Sequence, residues 1–151
     1  MNDNLGGYRK IELLSAGRIE GMNISDTVTA LPADGARWID IPFQRHTAKI
    51  EISPEKTDAG MIYHADIELH IPHQYLTAEL REDIRQFSAS GAIIRYTTCL
   101  GETFIAGTAD YPLQPTVQDL HPGSASGLSA LKLVLSGKSV YPQLPASLQS
   151  F

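Results

Sequence analysis

Apolar and polar residues alternate with a period of two through much of this chain, the spacing of strands that bury one face and wet the other. In "TAKIEIS", residues 47–53, Ala48, Ile50 and Ile52 share one side while Lys49, Glu51 and Ser53 share the other. "RWIDIPF" sets Ile39, Ile41 and Phe43 against Trp38 and Asp40. The longest such run is "MIYHADIELHIPH", residues 61–73, where Tyr63, Ala65, Ile67, Leu69 and Ile71 oppose His64, Asp66, Glu68 and His70. "YRKIELLSA" reads as a further strand. "AIIRYTTCL" and "TFIAGTA" are rich in β-branched and aromatic residues, and Gly101 between them suits a tight hairpin with positive φ. "LSALKLVLS" is nearly continuous in apolar residues, which predicts a strand buried on two faces.

One segment changes period. Leu76, Leu80, Ile84 and Phe87 recur at separations of four, four and three, a helical stripe over about 76–88. Thr77 is placed to cap its start, and Gly91 follows its end, where a left-handed residue is tolerated. "PEKTDAG", with Pro54, Asp58 and Gly60, predicts a long loop joining two strands of a hairpin. "DYPLQPTVQDLHPGSASG" predicts an extended connection, and the region around Gly17, Gly21 and Ser25 an irregular one. The expected fold is mainly β (α+β): an antiparallel β-sandwich or open barrel with one packed amphipathic helix, in a single domain over 1–151 with an extended C-terminal arm over about 140–151.

Composition narrows the function. At 151 residues, 19% charged and 42% hydrophobic, the chain has the balance of a folding domain rather than a disordered one. A net charge of −5 with scattered Lys and Arg argues against nucleic acid as the main partner. The single cysteine, Cys99, excludes an internal disulfide and reads as a core residue. No apolar run reaches the roughly 18 residues of a membrane span, and the start lacks a secretory apolar segment, so a soluble protein made in the cytoplasm is expected.

The run at 61–73 also holds three histidines and two carboxylates, a composition that raises the question of a metal. On a strand, His64 and His70 stand about 20 Å apart along one face, too far to share an ion. His64 with Asp66, or Glu68 with His70, supplies two adjacent donors, but a catalytic zinc needs a third ligand and a sheltered pocket. "GSASG" at 123–127 is not a nucleophile elbow, and "SGKS" at 136–139 lacks the helix of a phosphate loop. The expectation is a protein without catalytic residues, metal or cofactor. Two rival readings are a carbohydrate- or peptide-binding β-barrel that stacks its ligand on Trp38, Tyr63 and Tyr96, and a metal-dependent hydrolase on the histidine strand.

In the second half, Gly107, Thr108, Tyr111 and Pro112 form a "G-T-x-x-Y-P" element, followed by a Gly/Ser loop, a strand with Leu133, Ser136, Gly137, Lys138 and Ser139, and a Pro-rich end. Over residues 92–145 this outline resembles small virion structural proteins encoded by phages and prophages of gut bacteria. The resemblance implies a tail or head–tail junction component that joins copies of itself and other virion proteins, first in the host-cell cytoplasm and then in the virion. The residues expected to contribute to assembly are His64, Asp66, Glu68 and His70 on the polar strand face, with Tyr141, Pro142, Leu144 and Pro145 on the C-terminal arm. Exposed strand edges offer such a protein a route to its neighbours by strand addition.

Overall fold

The structure, a computed structural model, describes residues 8–24, 28–33, 36–43, 48–108, 111–120, 130–139 and 144–145. In chain order the elements are β1 (Tyr8–Ser15), β2 (Ile19–Ile24), β3 (Val28–Pro32), β4 (Ile39–Asp40), β5 (Lys49–Thr57), β6 (Gly60–Pro72), the helix α1 (Ala78–Ser90), β7 (Ala92–Thr98), β8 (Thr103–Ala106), β9 (Gln114–Leu120), β10 (Ala130–Ser139) and β11 (Leu144–Pro145). One sheet runs β11-β8-β7-β1-β4 and a second β5-β6-β10-β9, while β2 and β3 form a separate hairpin. All pairings are antiparallel. The fold is a sandwich; the two larger sheets remain separate and do not close into a barrel.

The core lies where the inner faces meet. Ile11, Leu13, Ile94 and Tyr96 come from one sheet, and Ile67, Leu69, Leu133 and Leu135 from the other. Each fully buried aliphatic side chain contributes about 1.5–3 kcal/mol by leaving water. The five-stranded sheet also buries part of its second face, where Leu14 and Ile93 pack with Ile19, Met22, Ala36 and Trp38. "RWIDIPF" keeps its expected sidedness, with Ile39, Ile41 and Phe43 toward the main core and Trp38 on the opposite face. Only Ile39 and Asp40 of that run pair as a strand, however.

Proline placement explains two departures from the sequence reading. "PEKT" is not loop: β5 continues through Pro54 to Thr57 and turns at residues 58 and 59 into β6. Likewise Gln114–Leu120 is a strand, β9, that contains Pro115. Both strands are edges of the four-stranded sheet, the one place where a missing N–H removes no ladder bond. Two further expectations shift. In β10, Leu131, Leu133 and Leu135 are buried but Lys132 and Val134 are only half-buried, so one face is core and the other is not. Cys99 is half-buried in the turn after β7 rather than in the core.

The helix matches its periodicity. Leu80 N–H donates to Thr77 Oγ1 (3.1 Å), and Leu80, Ile84 and Phe87 are buried. α1 lies against β1 and β9, one strand from each sheet, and so stops one open side of the sandwich. It ends at Gly91, whose φ is 80° and whose N–H donates to the Phe87 carbonyl (2.7 Å). Beyond it the chain turns a close-packed corner. Ala92 and Leu113 exchange backbone bonds of 2.9 and 2.8 Å where the strand partner changes from one sheet to the other. A Cβ on Gly91 would lie 2.8 Å from Pro112 Cβ; on Gly107, 3.2 Å from Leu113 Cγ; on Gly137, 3.1 Å from Leu113 Cδ2. Three glycines from distant positions thus make room for one dipeptide.

In urea unfolding with unchanged m-value, Thr77→Ala is expected to lower stability by about 1 kcal/mol through the lost cap. Gly91→Ala adds a positive φ and the Pro112 clash and is expected to cost more, on the order of 2–3 kcal/mol. A Gly91→Ala variant as stable as the parent would contradict the corner described.

Candidate functional site

The face of β6 expected to contribute to assembly points outward, as the alternation predicts. His64, Asp66, Glu68 and His70 all point away from the core, but they fall into separate groups. His64 Nε2 contacts Glu55 Oε2 on β5, and Lys138 stands opposite His64 on β10. The hydrogen bond from His64, and then its charge, hold the Glu55 carboxyl below the usual glutamate range. At the other end Glu68 lies 3.7 Å from His70 Nε2 and 3.2 Å from Lys132 Nζ. Asp66 sits between them, opposite Glu51 on β5 and Ser136 on β10. Among the described residues no group of three or more His, Cys, Asp or Glu side chains could hold one metal ion.

Of the arm, Tyr141 and Pro142 lie outside the described residues. Leu144 and Pro145 form β11, pairing with Ile105 and Phe104 of β8 in the same chain. The described part of the arm therefore completes its own sheet.

The most prominent feature is one whose first strand the sequence predicts as loop. Among the described residues β10 pairs with β6 as far as Tyr63, and beyond that point β5 and β6 pair with each other. Residues 55–57 and 60–62 form a two-stranded ribbon extending about 10 Å past the described sheet, at 3.3 Å per residue. Pro54, Lys56, Asp58 and Met61 are exposed, Met61 at 46%. Thr57 Oγ1 donates to the Gly60 carbonyl (2.7 Å) and the Glu55–His64 contact crosses the ribbon on its outer side. Pro54 was the misleading signal in the sequence, since it reads as a turn unless the strand is known to be an edge.

Two other places gather polar groups. On the second face of the five-stranded sheet, Arg95 Nε and Nη2 each donate to Glu12 at 3.0 Å, and the guanidinium lies 4.3 Å from the Trp38 ring centre. The pair is half-buried, with Glu12 at 12% side-chain exposure. Beside α1, two adjoining hollows of about 260 Å³ each form a groove lined by Arg18, Arg37, Ile39, Tyr75, Glu79 and Asp83. Arg37 Nη2 spans it to Glu79 (3.2 Å). Burial first, and then the Glu79 charge, push the Asp83 carboxyl up.

The three rings of the stacking hypothesis do not share a surface. Tyr96 is core, edge-on to Tyr8 and tilted against Phe104 with centroids 5.6 Å apart in each case, and burial raises its phenol well above the usual range. Trp38 lies on the opposite face of that sheet, under Arg95, and Tyr63 is on the other sheet. No described helix is long and apolar enough to cross a membrane. Comparison with family models, with curated proteins and with solved structures returns no match.

Arg95→Ala removes fork and stack together and is expected to cost about 2–3 kcal/mol in stability. Arg95→Lys should restore less than half of it, because an ammonium cannot reproduce two parallel bonds or a planar stack. Full recovery with lysine would show that charge alone matters. By carbon-detected NMR titration, the Glu55 carboxyl is expected to titrate below an ordinary glutamate and to move up toward that range in His64→Gln. Because its folded value is depressed, any stability the pair adds is present above the unfolded glutamate range and is lost as pH falls through the lowered value. An unmoved Glu55 midpoint would contradict the contact.

Proposed function

We propose that this chain is a non-enzymatic structural subunit of a phage virion, of tail or head–tail junction type, which works by joining copies of itself. The observation that carries the reading is the ribbon at 55–62. An isolated two-stranded hairpin is marginal in water, yet this one extends beyond the described sheet with Lys56 and Met61 exposed. A partner surface would bury those groups and hold the ribbon in one conformation. The reading is also supported by the place of the residues that resemble virion proteins. Gly107, Thr108, Tyr111, Pro112 and Gly137 build the corner between the sheets, with Tyr111 N–H donating to Thr108 Oγ1 (2.9 Å).

The mode of joining differs from the strand addition expected earlier. β4 and β11, the edges of one sheet, are two residues long. β5 carries Pro54 with Lys49, Glu51, Glu55 and Lys56, and β9 carries Pro115 with α1 alongside. Short strands, prolines and charges are the devices that discourage edge pairing. Contacts through side chains of the ribbon fit this surface better than backbone ladders do.

Native mass spectrometry of the purified chain is expected to show a discrete homo-oligomer. Replacing residues 56–61 by a Gly-Gly turn should leave a cooperatively folded monomer. A wild-type chain that stays monomeric at every concentration would overturn the proposal.

A further inference from the structure

The ribbon and the groove beside α1 lie at opposite ends of β6. That strand runs from Gly60, at the ribbon turn, to Pro72, which leads through a 3-10 turn at His73–Tyr75 into α1. Its thirteen residues separate the two ends by about 40 Å, at 3.3 Å per residue. Within one copy the two cannot meet.

Resting on the assembly reading above, we propose that the ribbon turn of one copy seats in the groove between α1 and residues 36–39 of the next, head to tail. Their chemistry is complementary. On the inner side of the ribbon, Lys56 stands opposite Met61 and, at its base, Pro54 opposite Tyr63, with Asp58 in the turn between the strands. The groove offers Glu79 and Asp83 to the Lys56 ammonium and Ile39 and Tyr75 to Met61. Arg18, exposed and with no side-chain partner among the described residues, faces the same hollow and answers Asp58. A lysine ammonium beside Asp83 would oppose the burial and the Glu79 charge that raise that carboxyl. The hollows, about 260 Å³ each, admit a few side chains, which suits the tip of a narrow ribbon rather than a broad face. Because ribbon and groove are different surfaces, the contact is heterologous and propagates into a ring or a filament.

Head-to-tail contact makes a specific demand on mixtures. Lys56→Glu/Met61→Glu disables the ribbon, and Arg18→Glu/Tyr75→Ser disables the groove by setting an anion against Asp58 and removing the ring that meets Met61. Each variant retains the other surface. Both are checked for parental melting, with Lys56→Glu alone as the ribbon variant if the double substitution melts early. Like charges placed against one another should weaken self-association on the order of a hundredfold. By native mass spectrometry each variant alone is expected to be a monomer, and the two mixed should give a two-chain complex and nothing larger. If wild type assembles and the variants still assemble as it does, the ribbon–groove contact is wrong while the assembly reading stands. Monomeric variants that fail to pair on mixing also overturn it. A wild-type chain that never assembles removes the contact and the assembly reading together.

Discussion

The structure depends on the alternation of β6. Its inner residues Ala65, Ile67, Leu69 and Ile71 are buried while Asp66 is exposed and His64, Glu68 and His70 are half-buried. A slip of one residue in its pairing would send the imidazoles and carboxylates into the core and the aliphatic groups into water. Two flanking strands fix the register: β10 along ten residues, from Pro72 to Tyr63, and β5 along nine, from Glu68 to Gly60. Those spans are offset. Among the described residues the offset leaves β6 outrunning β10 at one end, where the ribbon forms, and β5 at the other, where the chain passes into α1. The two surfaces proposed for assembly thus lie at the two ends where one strand runs past its described neighbours.

Holding the second sheet over the first falls to the corner at Pro112–Leu113. Leu113 is 2% exposed and is bonded to Ala92 across the junction. Gly91, Gly107 and Gly137 approach so closely that a methyl group at any of them would press on Pro112 or Leu113. In close-packed protein interiors such approaches tolerate little added volume. The "G-T-x-x-Y-P" element therefore serves the fold at this corner.

Periodicity made the strands of the core and the helix legible, because burial of one face imposes its period on the side chains. Ile39, Ile41 and Phe43, the stripe Leu80, Ile84 and Phe87, and the turn at Gly101 (φ 92°) all fall where the pattern placed them. Prolines were the main obstacle. Pro54 and Pro115 sit inside strands because those strands are edges, and edge status is a property of the whole sheet that no local window contains. The ribbon was hidden for the same reason. The Glu12–Arg95–Trp38 stack depends on registers linking residues far apart in sequence, and the groove on where α1 docks. Neither leaves a periodic trace.

The central claim is that the ribbon is where copies meet, and hydrogen exchange reports on it without any substitution. Amides of residues 55–62 in the dilute, dissociated protein should exchange faster than those of the β6–β10 ladder. Raising the concentration until the chain associates is predicted to slow exchange in the ribbon and at residues 36–39 and 75–83, while the ladder stays unchanged. Association that leaves ribbon exchange at its dilute rate would contradict the account.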